Sequence, residues 1–389
     1  MDDEIKKCRV LAVQRFKAGE SPEAICASLG KSKFWLYKWV KRHSEGDPLW
    51  FQDRSRKPLS TPHRTPVEIE EIVKLVRLNL YNQDLFCGAQ AILWELEDLG
   101  ISPLPSLRTI NRVLKRNDLT QRRTGKYEPK GTPYPKLPSL LPNQTHQMDM
   151  VGPCYLSGPI RFYGLNVIDT ATARCGLHSS LSKSGQDVLG GTLAIWSRLG
   201  IPDNLQVDNA LSFLGSPRSP RALSQFVRLC LQNDVEPWFV PMAEPWRNGN
   251  IEQFNDHYQQ KFLSKVIMTS TDELAAGTMA FEQRHNSSYR YSKLGGKTPI
   301  KALSASKTVL RFPNPDDTPL QRLEKPETGR YHLVRLIRSD LNLNILGELF
   351  PVPPELKLEY VVATIDVKEQ KLKLYLGKTQ VEEFDYKIR

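Results

Sequence analysis

Three acidic residues of this chain lie in apolar, strand-like or turn-forming sequence. Asp149 lies in HQMDMVGP, Asp208 in LQVDNALSF and Glu252 in NGNIEQFN. In the last segment, a turn dipeptide precedes a helical pattern, and Glu252 falls on a different face of that helix from the apolar residues. Each acid taken alone is more simply a helix cap or a surface carboxylate. As a set within one region, they are expected to converge.

Convergence of three carboxylates has a defined chemical consequence. Close together and unpaired, they repel one another and raise one another's pKa values, and a divalent cation with a preference for oxygen ligands removes that cost. Two such ions roughly 3.5–4 Å apart activate an attacking water or 3′-hydroxyl and stabilise the leaving oxygen in a displacement at phosphorus. The set therefore predicts catalysis and metal binding by Asp149, Asp208 and Glu252, with Mg²⁺ as cofactor and Mn²⁺ able to substitute.

The composition favours a polyanionic partner. The chain has 389 residues and a formal net charge of +11, which favours nucleic acid over the simpler alternative of a merely basic protein. The six cysteines are scattered without a C-x-x-C pair, so reduced thiols are expected. No apolar run suggests a membrane segment or a signal peptide. We expect a cytoplasmic protein, associated with the DNA of the nucleoid.

Two helical regions precede the acids. Residues 1–46 predict three helices, the last two forming a helix-turn-helix DNA-binding domain, and residues 65–125 predict a second one. Plain helical bundles with solvated basic faces are the alternative. Basic side chains on the last helix of each domain, or in the segment after it, are the candidate DNA contacts: Lys33, Lys38, Arg54, Arg56, Arg108, Arg112, Arg122 and Arg123. Five prolines within residues 126–142 predict a stiff, extended spacer without a core.

The rest of the chain contains two further regions with different secondary-structure patterns. Residues 143–310 alternate strand-like and helical segments, which predicts a mixed α/β layer fold. Residues 330–389 contain short strands whose spacing predicts a small β-barrel. The whole chain is therefore predicted to be multidomain, with all-α modules first, an α/β core in the centre and a small β-barrel last.

Four segments of the central region carry a resemblance to a known family: QMDMVGP, LNVIDTATA, QVDNALSF and PWRNGNIEQFN. Region 143–310 resembles the catalytic core of retroviral integrases and bacterial insertion-sequence transposases, which are DDE recombinases with an RNase H-like fold. The resemblance implies that the three acids bind the metal ions. It also implies an active-site loop at Asn209, Asn248 and Gly249.

The activity implied by the resemblance is DNA transposition. Such an enzyme binds the end repeats of its element on double-stranded DNA, cleaves the 3′ ends and joins them to target DNA. A homo-oligomer on DNA is expected, because two ends must react and one cavity holds one 3′ end at a time.

The chain departs from the family pattern at two positions. Ala210 stands where the family usually has glycine, and Gln259 stands two helical turns after Glu252, where a basic residue is common. Two alternatives therefore stay open. One is a nuclease that only hydrolyses DNA, which would not need two sequence-reading modules. The other is a non-catalytic, domesticated transposase that acts as a sequence-specific DNA-binding protein.

Overall fold

The computed structural model describes residues 2–54, 65–120, 133–216, 218–242, 244–314 and 322–389. The chain forms two compact units, Met1–Pro66 and Val67–Arg389. Within the described ranges, no helix is both long and apolar enough to cross a membrane. Three of the predicted DNA contacts, Arg56, Arg122 and Arg123, lie outside these ranges.

The first unit is built from three helices, α1 (Asp2–Lys17), α2 (Pro22–Leu29) and α3 (Lys33–Ser44). Ser32 caps α3 by accepting a hydrogen bond from the Trp35 amide, which satisfies one of the unpaired N–H groups of a helix start. Gly30 ends α2 with a left-handed φ of 62°, a conformation that glycine adopts without strain. The predicted helical N-terminal region is confirmed, and its DNA-binding role stays a prediction.

The second unit begins with three more helices, α4 (Val67–Asn82), α5 (Ala89–Asp98) and α6 (Leu107–Arg116). They pack around their own apolar cluster, which includes Val73, Ile92 and Ile110. They also contact the sheet region directly, because Tyr289 Oη donates to the Asp84 carbonyl oxygen at 2.7 Å. The helices of the predicted second DNA-binding domain therefore share one compact unit with the sheet.

A mixed sheet forms the centre of this unit. The first three strands form antiparallel pairs of neighbours: β1 (Thr145–Tyr155), β2 (Arg161–Asp169) and β3 (Cys175–Ser180). On the other side of β1 the sheet continues with two parallel strands, β4 (Asn204–Val207) and then β5 (Glu236–Phe239). The resulting order β3-β2-β1-β4-β5 is that of an RNase H-like core. The predicted mixed α/β layer fold is confirmed.

Helices cover both faces of the sheet. α7 (Gly185–Leu199), α8 (Leu211–Leu214) and α9 (Gln225–Gln232) share one apolar cluster with Val167 of β2. α10 (Gly249–Tyr258) and α11 (Thr271–Ser288) share another with Ile168. Successive strand residues point to opposite faces, so Val167 packs against the helices on one face of the sheet and its neighbour Ile168 packs against those on the other. A short helix, α12 (Pro299–Ser304), follows α11.

The C-terminal strands extend the same sheet. β6 (Arg330–Leu336) pairs in parallel with β5, and β9 (Tyr360–Asp366), β10 (Lys371–Leu376) and β11 (Thr379–Asp385) follow outward, giving a nine-stranded sheet. β7 (Asn342–Ile345) and β8 (Glu348–Pro351) form a separate hairpin. In the described residues no pairing closes these strands into a barrel.

The predicted separate small β-barrel over residues 330–389 therefore needs correction. The physical reason is the open edge of β5, which β6 covers. Leu333, Ile365 and Leu374 are fully buried in the same apolar cluster as the helices over the RNase H-like strands. The C-terminal strands complete the core of the second unit.

The proline-rich segment also differs from its prediction over residues 133–142. Tyr134 packs edge-on against Tyr360 with ring centroids 5.3 Å apart. Thr145 Oγ1 donates to the Pro138 carbonyl oxygen at 2.6 Å. This part of the segment is extended and packs against the sheet region. The prediction of a spacer without a core is therefore wrong for residues 133–142.

Candidate active site

Asp149 lies in the middle of β1, opposite Asn166 of β2. Its Oδ1 accepts a hydrogen bond from the Met150 amide at 2.8 Å, and its Oδ2 accepts one from Asn255 Nδ2 at 2.8 Å. Asn255 Oδ1 in turn accepts from Asn166 Nδ2 at 2.8 Å. A chain of two amides therefore connects β2, α10 and the Asp149 carboxylate and fixes the direction of that carboxylate.

Asp208 follows the last residue of β4. Its Oδ1 accepts from the Ala210 amide at 2.9 Å, which closes a turn of the kind that aspartate stabilises. The next residue, Asn209, donates from Nδ2 to the Val240 carbonyl oxygen at 2.5 Å and accepts at Oδ1 from Arg335 at 3.0 Å. Asn209 thus joins the ends of β4 and β5 to β6.

Glu252 lies in the first turn of α10. The start of this helix is capped from the sheet, because Gln147 Oε1 accepts from the amides of Asn250 and Ile251 at 3.0 and 3.1 Å. Asn248 is buried beside this start, and its Nδ2 lies 3.4 Å from the Met148 carbonyl oxygen. Gly249 is the first residue of the helix. The loop before Glu252 is therefore attached to the strand that carries Asp149.

The pKa of Asp149 responds to the two other acids. Burial raises the pKa of Asp149 from its ordinary value of 3.8 to about 6, and the negative charges of Asp208 and Glu252 add to this effect. Burial also raises the pKa of Glu252, with the charge of Asp256 as a second cause. A half-buried carboxylate destabilised by two other acids, as Asp149 is, favours binding of a cation.

The donor set suits a hard dication, since Asp149, Asp208 and Glu252 all offer carboxylate oxygens. In the part of the chain that the structure describes, no three His, Cys, Asp or Glu side chains stand close enough to form a metal-binding group. The chemistry of the three acids fits Mg²⁺, while the coordination geometry is not formed.

Among the described residues, the predicted DNA contacts of the first unit mostly pair with other side chains, whereas those of α6 form an exposed basic face. Lys33 pairs with Glu23, Arg54 pairs with Glu45 at 2.7 Å, and the Lys38 Nζ lies 5.2 Å from the centroid of the Trp39 ring. Exposed side chains one turn apart form a basic face on α6, namely Arg108, Arg112 and the neighbouring Lys115. Of these basic residues, those on α6 form the most continuous exposed basic surface.

Four supporting residues were not among the predicted site residues. Gln147 lies two positions before Asp149 on the same side of β1, and Asn255 lies one turn after Glu252, so strand and helix periodicity could have identified both. Asn166 is identified only through the β1–β2 register. Arg335 lies in a region whose pattern predicted a separate module, so no local signal connects it with Asp208.

Comparison with known proteins gives a family match over part of the chain. Residues 233–299 match the family model described as the integrase core domain. The segment contains Glu252, while Asp149 and Asp208 precede it. The match confirms the resemblance to the superfamily of DDE transposases and integrases that the sequence motifs indicated.

Solved structures of viral integrases are similar over larger parts of the chain. The HTLV-2 integrase catalytic core domain in complex with magnesium, in its dimeric form, is 19% identical, with a TM-score of 0.33 and coverage of 43% of this chain and 99% of that chain. The simian T-cell lymphotropic virus intasome in complex with PP2A regulatory subunit B56 gamma is 12% identical, with a TM-score of 0.38 and coverage of 82% and 97% respectively.

Proposed function

We propose that this protein is a DNA transposase or integrase that binds the ends of its mobile element, cleaves their 3′ ends and joins them to target DNA. The integrase-like core indicates activity of this general class. Asp149, Asp208 and Glu252 are the proposed catalytic and metal-binding residues. The observation that carries the assignment is geometric: Asn255, on the helix of Glu252, donates to Asp149, and β4, which ends next to Asp208, pairs with β1.

The chain's own residues prepare the site for this reaction. Asn255 and Asn166 hold the Asp149 carboxylate in one direction, and Gln147 fixes the start of the helix that carries Glu252. Asn209, which follows Asp208, and Asn248 and Gly249, which precede Glu252 at the start of α10, are the proposed active-site loop residues. When bound, Mg²⁺ or Mn²⁺ supplies charge stabilisation and activation of the attacking oxygen in a displacement at phosphorus.

Double-stranded DNA is the proposed partner, as element ends and as target. The exposed basic face of α6 supports contacts to phosphates at Arg108 and Arg112. Lys33, Lys38 and Arg54 are proposed contacts of the first unit, and Arg56, Arg122 and Arg123 are proposed from sequence alone. A homo-oligomer on DNA and a location at the nucleoid in the cytoplasm complete the proposal.

The two departures from the family pattern do not weaken the catalytic assignment. Ala210 has φ of −57° and ψ of 145°, an ordinary extended conformation that does not require glycine. Its amide also makes the bond to Asp208 that any residue except proline supplies. Gln259 begins a short π-helical segment, Gln259–Leu263, and its side chain donates to Ser264 Oγ at 3.2 Å; the missing cation is taken as a difference in DNA contacts.

The test is a joining assay with DNA that carries the sequences flanking the gene as element ends. The full chain with Mg²⁺ is expected to produce target DNA covalently joined to the 3′ ends, and EDTA or Asp208→Asn is expected to abolish the product. Full cleavage and joining in excess EDTA would contradict the proposal. Hydrolysis without joining would favour the nuclease, and specific binding without either reaction would favour the domesticated DNA-binding protein.

A further inference from the structure

Arg335 is a buried cation on β6, next to the turn that carries Asp208. The residue is only 9% exposed. One guanidinium nitrogen donates to Asn209 Oδ1 at 3.0 Å, and the other donates to the carbonyl oxygens of Val240 at 3.3 Å and Val334 at 2.8 Å. All three acceptors are neutral oxygens, so the hydrogen bonds offset the burial of the charge without an ion pair.

The strand pattern calls for an apolar residue at this position. Leu333, Arg335 and Ile337 alternate along the chain toward one face, and Leu333 and Ile337 are both fully buried in the large apolar cluster. Burying a cation there is costly compared with an aliphatic side chain of similar size. Folding of the sheet alone therefore does not account for an arginine at this place.

The contacts of Arg335 lie beside the second acid, at the turn after β4 and the end of β5. Asn209 directly follows Asp208, and the Val240 carbonyl oxygen accepts hydrogen bonds from both Asn209 and Arg335. Val240 in turn follows β5 and begins the connection that ends at Glu252. The guanidinium and the Asn209 amide thus close a small network that ties the turn after β4 and the end of β5 to β6.

We propose that Arg335 is a positioning residue for phosphoryl transfer, acting through Asn209 to hold the turn that directs the Asp208 carboxylate. The C-terminal strands are then part of the catalytic apparatus, because β6 supplies this residue. The inference rests on the proposed function, since it assigns Arg335 a role in that reaction.

The experiment measures DNA joining by the full-length chain over a range of Mg²⁺ concentrations. Arg335→Gln and Asn209→Ala should each lower the joining rate at least about tenfold, the range expected for losing a hydrogen bond to a charged group. Each should also raise the Mg²⁺ concentration that gives half the maximal rate, while specific DNA binding stays unchanged. Because both changes remove the bond between Arg335 and Asn209, the loss in the double variant should be smaller than the sum of the two single losses.

Arg330→Gln is the matched control. It makes the same change on the same strand at an exposed residue that pairs with Glu236, and it should keep the joining rate within about twofold because exposed ion pairs contribute little. Arg335→Lys keeps the cation and should restore part of the loss. Thermal denaturation monitors folding. If Arg335→Gln does not fold, half-buried Asn209→Ala decides the test through its Mg²⁺ dependence.

Three outcomes would overturn the inference. An unchanged Mg²⁺ requirement in Asn209→Ala would mean that the network does not position the acid. Additive losses in the double variant would mean that Arg335 acts only on the stability of β6. Absence of metal-dependent joining by the wild-type chain would overturn the proposed function and this role with it, a result distinguishable from a failure confined to the two variants.

Discussion

Replacing Asp149 by asparagine should stabilise the metal-free protein while removing its activity. The carboxylate is half-buried near two other acids, and its pKa is raised from 3.8 to about 6 in the folded state. Because the folded-state pKa lies above the unfolded value, the protonated carboxyl contributes stability that is complete below pH 3.8 and is lost as the pH rises through about 6. At neutral and higher pH the ionised Asp149 therefore opposes folding.

The size of the effect follows from the pKa shift and the hydrogen bonds. One pKa unit corresponds to about 1.36 kcal/mol, so the full rise corresponds to about 3 kcal/mol of lost stability. The substituted amide offers one acceptor oxygen, and losing one of the two bonds from Met150 and Asn255 costs about 1 kcal/mol. Asp149→Asn should then raise the free energy of unfolding by about 2 kcal/mol at about pH 8 in EDTA.

Chemical denaturation in EDTA at about pH 8 and about pH 5 measures the free energy of unfolding of the wild type and of Asp149→Asn. The stability that the variant gains should be smaller at the lower pH, where wild-type Asp149 is mostly protonated. Added Mg²⁺ should stabilise the wild type and leave the variant unchanged. Asp272→Asn, at an exposed residue of α11, is the control and should change stability by less than about 0.5 kcal/mol. Lower stability of Asp149→Asn in EDTA would refute the reasoning, because Asp149 would then act mainly as a structural hydrogen-bond acceptor.

Further predictions concern catalysis, DNA binding and assembly. Glu252→Gln should lower strand transfer in the joining assay at least roughly a hundredfold, since metal-based stabilisation contributes several kcal/mol, and it should retain specific DNA binding. Glu97→Gln makes the same change at an exposed residue of α5 and should leave strand transfer unchanged in that assay. Arg112→Gln should weaken binding of element ends and lower the slope of log affinity against log salt by about one, and an unchanged slope in a titration would rule out a phosphate contact. Light scattering of the active DNA complex should show more than one chain. A fragment of residues 143–310, which lacks β6, β9 and β10, should not show a cooperative thermal transition, because its apolar edge at β5 is uncovered.

Local pattern was sufficient to predict most of the helices and the positions of the acids. Ser21, Ser32 and Ser106 are capping residues at the helix starts that they predict. Asp149 and Glu252 lie on the strand and helix that their surroundings predict, because alternation and turn chemistry are local properties. The influence of Asp208 and Glu252 on Asp149 depends on contacts between distant segments, and the resemblance to a known family indicated that the three acids act together.

Contacts between distant segments could not be predicted in this way. Glu244, a few residues before Glu252, has the sequence context of an exposed loop acid. Its carboxylate instead accepts from Tyr360 Oη at 2.8 Å and from Arg247 at 2.9 Å, which attaches the segment before α10 to β9. The short spacing of the C-terminal strands was equally compatible with a separate barrel, since periodicity does not specify which sheet a strand joins.

The partners of the acids explain how the site keeps its charge. The hydrogen bonds to Asp149 come from the Met150 amide and the neutral side chain of Asn255, and the bond to Asp208 comes from the Ala210 amide. Neutral donors orient carboxylates without cancelling their charge, whereas a bonded lysine or arginine would occupy the place of a dication. The buried cation Arg335 donates to the neutral Asn209, the residue that follows Asp208. The second unit thus orients Asp149 and Asp208 with neutral donors, which Asn166 of β2 and Arg335 of β6 hold in place through Asn255 and Asn209, and leaves the negative charge available to a metal ion.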